Sequence, residues 1–179
     1  MIRIFDFIFS TFFLIILLPV FSIIIFFGFF DTGKPLFLQK RVGLNLKIFN
    51  ILKFRTMKLI TRSKGTHLVN KSYVTLFGSF LRKTKLDELP QLYNIFIGEM
   101  SLVGYRPCLP NQRRLITERK KRGVFRAKPG ITGLAQVSGI NMSTPTFLAK
   151  TDLKMIKKMN LLYYFYYIFK TFLLIFKKK

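Results

Sequence analysis

Between Asp6 and Asp31 the chain is apolar at every position except Ser10, Thr11 and Ser22, with Pro19 and Gly28 as its two helix-breaking residues. As a straight helix, Phe7 to Phe30 would span about 36 Å at about 1.5 Å per residue, against a hydrocarbon core of about 30 Å. The pattern predicts a membrane-embedded anchor over residues 1–31. Pro19, at its middle, cannot donate to the Ile15 carbonyl, which predicts a kink. Two geometries stay open: a kinked helix that spans the bilayer, and a re-entrant one whose halves, Phe7 to Leu18 and Val20 to Phe30, each reach about half-way across. The run is too long for the apolar part of a secretory signal, and no small-x-small cleavage site precedes Asp31-Thr32-Gly33, so it reads as a permanent anchor.

After a turn cluster at Asp31 to Pro35, the stretches Leu36 to Leu38, Lys47 to Phe49 and Ile51 to Phe54 read as short strands of one hairpin turning at Gly43-Leu44-Asn45. Leu59 to Lys71 shows no period and reads as a loop. Helical spacing returns from Val74 to Leu81. It continues behind Pro90 through Leu92, Ile95 and Phe96 to a C-cap near Gly98, with Asp87 as the N-cap. Arg113 to Arg126 reads as one basic helix, and Lys128 to Gly139, with Gly130, Gly133 and Gly139, as a loop or hairpin. Leu161 to Phe176 is aliphatic and aromatic, broken by Lys170 and closed by Lys177 to Lys179. It is either an interfacial segment or a buried packing helix. The expected fold is α+β, mostly helical: the anchor, then a small catalytic domain over 32–179 with one short β-hairpin and a membrane-associated C-terminal segment.

Charge sets the orientation. Lys34, Lys40, Arg41, Lys47, Lys53 and Arg55 follow the apolar run, while Arg3 alone of the basic side chains precedes it, which places the main domain on the cytoplasmic face. With 31 Lys plus Arg against seven Asp plus Glu, the net charge is +24. That would suit nucleic acid, but the Lys, Ile, Phe and Asn bias runs through the whole chain, and anionic lipid headgroups beside an anchor are the simpler partner. No nucleic-acid partner is expected. A single Cys108 and a single His67 exclude an internal disulfide framework and a His/Cys metal cluster. The glycines form neither a dinucleotide fingerprint nor a P-loop, and a Ser/His/Asp hydrolase set is absent.

Among so few acids, Asp87-Glu88 is the only adjacent pair. Arg82, Lys83 and Lys85 beside it form a setting that lowers carboxylate pKa values and attracts phosphorylated substrates.

Five segments then fall into one pattern: Gln39 to Gly43, Lys53 to Met57, Phe80 to Leu92, Met100 to Pro107 and Lys128 to Val137. Together, in order over almost the whole chain, they resemble the bacterial sugar transferases, the monotopic phosphoglycosyl transferases that begin polysaccharide, lipopolysaccharide and glycoprotein glycan assembly at the bacterial inner membrane. The resemblance implies transfer of a sugar 1-phosphate from a UDP-sugar to a polyprenyl (undecaprenyl) phosphate with release of UMP, and no obligatory protein partner. It makes Asp87 the nucleophile of a phosphosugar-aspartyl intermediate and Glu88 the residue that helps hold Mg²⁺. Arg82, Lys53, Arg55 and Arg41 become candidates for clamping phosphate oxygens, and Arg106 with Pro107 for contacting the nucleotide. The chemistry agrees, because a carboxylate attacking a diphosphate meets repulsion that a metal and nearby cations relieve.

This chain also departs from the family. Leu18-Pro19 replaces Ser-Pro at the bend, Tyr105-Arg106-Pro107 replaces Pro-Arg-Pro, and Ile140 stands where an arginine is usual. These departures keep open a degenerate non-catalytic member, and charge alone a basic membrane tether.

Overall fold

The computed structural model describes residues 1–59 and 73–177, with side chains to Leu174. The loop predicted from Leu59 to Lys71 lies, beyond Leu59, outside the described residues, as does His67.

Helices α1 (Ile2–Ile16) and α2 (Leu18–Thr32) meet at a 60° bend. Pro19 sits in the first turn of α2, where a missing N–H is tolerated. The Ser22 hydroxyl donates to the Leu18 carbonyl at 3.0 Å. Among the described residues no single helix is long and apolar enough to cross a membrane, whereas the bent pair together is.

The pair touches the rest of the protein at its start, bend and end. At the start, Asp6 is more than the polar stop expected of it. It is 2% exposed, and its Oδ1 accepts from Ser101 Oγ at 3.0 Å, Leu102 N at 2.9 Å and Tyr164 Oη at 2.8 Å. At the bend, Leu14, Leu17 and Phe21 pack on a core cluster containing Phe49, Ile51, Leu92, Ile95 and Met100. At the end, Asp31 accepts from Thr75 Oγ1 at 2.6 Å. The opposite face, with Ile4, Phe12, Ile16, Ile23, Phe26 and Phe30, is exposed.

The predicted hairpin is present and longer than expected: β1 (Leu36–Val42) pairs antiparallel with β2 (Ile48–Phe54), from Leu36↔Phe54 to Val42↔Ile48. Asn45 and Leu46 take left-handed φ of 51° and 64° in the turn. Helix α3 (Leu76–Thr84) starts at Thr75, whose Oγ1 accepts from Gly78 N at 2.9 Å. It ends at Lys85, φ 62°. Leu86–Glu88 then form a 3-10 turn that leads through right-handed Leu89 and Pro90 into α4 (Gln91–Phe96). Gly98, φ 88°, follows that helix as expected.

Asp87 is not an N-cap. It lies inside the turn, the Glu88 and Leu89 amides donate to the Lys85 and Leu86 carbonyls, and neither the turn nor α4 has a side-chain cap.

The stretch read as a loop or hairpin near Gly130 is instead one half of a parallel pair, β3 (Ser101–Val103) with β4 (Gly130–Thr132). Close approach is the reason for its glycines, since a Cβ on Gly130 would lie 2.0 Å from Gly104 N and one on Gly104 2.4 Å from Lys128 O. The basic helix is also shorter than predicted. Helix α5 (Arg113–Lys121) stops before Gly123, φ 70°, and Val124–Arg126 form a separate turn because Val124 and Phe125 turn into the core.

Short α6 (Leu134–Val137), α7 (Pro145–Lys157) and α8 (Leu161–Lys177) complete the mostly helical α+β fold. Of the two readings of the tail, packing accounts for one face of α8. Tyr164 and Tyr167 are buried beside Val103 and Met155, while Leu162, Phe169 and Phe172 stay exposed. Phe165 meets Phe5 edge-on at 5.4 Å, tying α8 to α1.

Candidate active site

Three elements converge on the acidic turn. Strand β2 brings Lys53, the segment after β3 brings Arg106, and the 3-10 turn between α3 and α4 presents Glu88 to both. Glu88 Oε1 accepts from Lys53 Nζ at 3.0 Å and from Arg106 NH2 at 2.8 Å. The Glu88 and Lys53 side chains are 14% and 15% exposed, Arg106 42%. Burial by itself would raise the Glu88 pKa, but the charges and hydrogen bonds of Arg106 and Lys53 outweigh it and hold the carboxyl well below the usual range. Lys53 is shifted down by burial, with Glu88 opposing, and Arg106 is shifted up by Glu88.

Asp87 behaves in the opposite way. Its Oδ1 is buried with no hydrogen-bond partner, while the residue as a whole stays partly exposed. Burial, then the charge of Glu88, raises its pKa, against the pull of Lys53, Lys85 and Arg82. The lowering expected for both acids therefore falls on Glu88 alone, because Glu88 has taken the two nearest hydrogen-bonding cations. Two adjacent carboxyls thus end in different states, one locked and ionised, one desolvated and unpaired.

Around this pair the nominated cations divide. Arg82 donates from Nε to Thr56 Oγ1 at 2.8 Å and senses the charge of Asp87. Arg41, 8% exposed, donates to the Pro107 carbonyl at 3.1 Å and to Gln39 Oε1 at 2.6 Å, and its Nε is buried without a partner. Burial and the charge of Arg106 bring its pKa down to about 10. Arg41 thereby fixes the backbone beside Arg106. Arg55 is not brought to the acids: β2 ends at Phe54, and the Arg55 guanidinium donates to the Lys34 and Leu36 carbonyls at 2.8 and 3.3 Å and lies 5.2 Å over the Phe37 ring.

Sequence reasoning missed the support for Arg106. Fully buried Arg119 on α5 donates from Nε and NH2 to Asp152 Oδ2 on α7 at 2.9 and 2.8 Å. From NH1 it donates to the Arg106 carbonyl at 2.9 Å, and it stacks 4.8 Å over the buried Tyr105 ring. The available signal was Asp152 itself, an acid within an apolar helical pattern. Gln91 was missed as well: it is 2% exposed, its Nε2 has no partner, and it follows Asp87 by four residues along continuous right-handed backbone, the spacing that puts two side chains on one face. Ile140 packs against the cluster of Val42, Leu115 and Leu148, so the position usually taken by arginine serves the core here.

Among the described residues no three His, Cys, Asp or Glu side chains gather. The site still fits a hard divalent cation. Mg²⁺ is ordinarily held by one or two carboxylates plus substrate phosphates and water, and Glu88 is held ionised with hydrogen bonds from described residues to its Oε1 alone, which leaves Oε2 for a cation.

A family described as bacterial sugar transferase matches residues 1–178. The galactosyl transferase CpsE of Streptococcus agalactiae serotype III is 42% identical over 127 residues, covering 64% of this chain and 28% of that protein. The UDP-glucose:undecaprenyl-phosphate glucose-1-phosphate transferase of Xanthomonas campestris pv. campestris is 41% identical over 123 residues, 64% of this chain and 25% of its own. The exopolysaccharide production protein ExoY of Sinorhizobium fredii is 33% identical over an alignment that covers 94% of this chain and 82% of its own. The chain thus spans only about a quarter of the first two relatives.

Proposed function

The chain belongs to the bacterial sugar transferase family, and from that premise we propose that it transfers a sugar 1-phosphate from a UDP-sugar to undecaprenyl phosphate, releasing UMP, through a covalent intermediate on Asp87. The observation that carries this is the contrast between the two acids: Asp87 alone has a buried, unpartnered oxygen, while Glu88 is held by Lys53 and Arg106.

In the first step an Asp87 oxygen attacks the sugar-bearing phosphorus, the bond from that phosphorus to the bridging oxygen breaks, and UMP leaves with the electron pair. In the second, a phosphate oxygen of the polyprenyl phosphate attacks the same phosphorus, and the Asp87 carboxylate is the leaving group. Because Asp87 is desolvated and unpaired, little must be stripped from it before attack. Glu88 orders Lys53 and Arg106, and the part-exposed guanidinium of Arg106 has donors left for diphosphate oxygens. Arg41, through Pro107, and Arg119, through the Arg106 carbonyl, keep that guanidinium in place. Glu88, with the substrate phosphates, would hold Mg²⁺, which when bound supplies Lewis-acid neutralisation of the diphosphate charge.

The bent α1–α2 pair serves as a re-entrant anchor at the cytoplasmic face. Contact with the domain at its start, bend and end, with an apolar face turned outward, supports a pair lying against one leaflet over one whose bend reaches away from the domain. The surplus of Lys and Arg following the anchor supports the face.

The reaction is tested by incubating membranes with undecaprenyl phosphate and a panel of UDP-sugars and following UMP. Wild type releases UMP with at least one sugar, and Asp87→Asn releases none above background. An Asp87→Asn protein that turns over normally would overturn the assignment.

A further inference from the structure

At the N-terminal end of α1 runs an open groove in two parts. The wider, about 700 Å³, is apolar and lined by Met1, Ile2, Asn160, Leu161 and Leu162. Ile2 and Arg3 line both parts, and the narrower, about 200 Å³, adds Lys128, Asp6 and Met159. Two cations converge there: Arg3 NH2 and Lys128 Nζ lie 3.1 and 3.5 Å from the point a Cβ on Gly98 would occupy. Arg3 is fixed, donating to the Ile95 and Phe96 carbonyls at the end of α4. Lys128 is partly buried and makes no hydrogen bond or ion pair with any described residue. Asp6 is the acid facing it, and Asp6 Oδ1 already accepts three hydrogen bonds. Glu99, next to Gly98, is turned to Asn94 Nδ2 at 2.8 Å.

We propose that this groove binds an anionic glycerophospholipid, its phosphate between Arg3 and Lys128 and an acyl chain along Met1, Ile2, Leu161 and Leu162. Two like charges held together, one without a partner, call for an anion. The apolar part beside them is of no use to a free phosphate but suits a chain. The groove also lies at one end of the apolar helix pair, where an anchor in one leaflet puts it at headgroup depth. None of its residues belongs to the cluster around Asp87, so the site stands or falls apart from the transferase reading.

The test is native mass spectrometry of the full chain in dodecyl maltoside with dioleoylphosphatidylglycerol or dioleoylphosphatidylcholine. Wild type should retain the anionic lipid about fivefold better, the worth of roughly one basic side chain beside an anionic headgroup. Lys128→Gln should lose that preference and Lys128→Arg keep it. Lys47→Gln, which removes the same charge from the exposed hairpin turn, should leave it unchanged. Leu162→Asp, at a position 82% exposed, should weaken retention from the apolar side and covers the case of a Lys128→Gln chain that does not fold. Equal retention by wild type and Lys128→Gln, equal losses in Lys128→Gln and Lys47→Gln, displacement by millimolar inorganic phosphate, or displacement by equimolar undecaprenyl phosphate would each overturn the proposal.

Discussion

Asp87 and Glu88 are neighbours in sequence with opposite electrostatic fates, and the difference has a measurable consequence. As the proposed nucleophile Asp87 would have to be ionised to attack, and burial with the adjacent Glu88 charge raises its pKa. kcat/KM should therefore be full at pH above that raised value and fall as pH drops through it. The acid limb is expected above the ordinary aspartate value of about 3.9. Arg82 opposes the shift, so Arg82→Gln should move the limb to higher pH. An acid limb at or below the ordinary value in wild type would contradict the desolvated state of Asp87. The pair itself was legible in the sequence because acids are so scarce. Which acid would be locked was not: that depends on Lys53 and Arg106, far from Glu88 along the chain, both reaching Oε1.

At the scale of elements, local rules worked where local forces decide. The hairpin, the Pro19 bend and the left-handed Gly98 follow from strand pattern, a missing N–H and a permissive glycine. They failed where distant backbones meet. Gly130 read as a glycine of a loop or hairpin, yet it and Gly104 let β3 and β4 approach, a contact between segments far apart in sequence. Asp6 is the same lesson in a polar residue: it fastens α1 to β3 and α8 through three donors. Asp6→Ala would leave those three without an acceptor, each costing about 1–3 kcal/mol when buried. Thermal unfolding in detergent should show a fall of about 6 °C or more, at about 2–4 °C per kcal/mol. A fall below about 2 °C would mean that α1 is held by apolar packing alone.

For the molecule as a whole, α1 and α2 pack against the residues that follow them, a contact that hydropathy does not report. Leu14, Leu17 and Phe21 face the domain although their hydropathy matches that of the exposed Phe12 and Ile16. A re-entrant pair predicts that cysteines placed at Ile2 and at Lys34 both escape a membrane-impermeant maleimide applied to intact spheroplasts and both react after permeabilisation. Labelling of either one from outside would indicate a spanning helix. The buried Cys108 does not interfere.

In the proposed mechanism Asp87 carries the sugar phosphate. Incubating the purified protein with its UDP-sugar in the absence of polyprenyl phosphate and measuring intact mass tests it directly. Wild type should gain the mass of one sugar phosphate, localised by peptide mapping to Asp87 and discharged on adding undecaprenyl phosphate, while Asp87→Asn gains nothing. A wild-type enzyme that turns over yet never gains that mass, or an Asp87→Asn protein that gains it equally, would contradict the covalent mechanism.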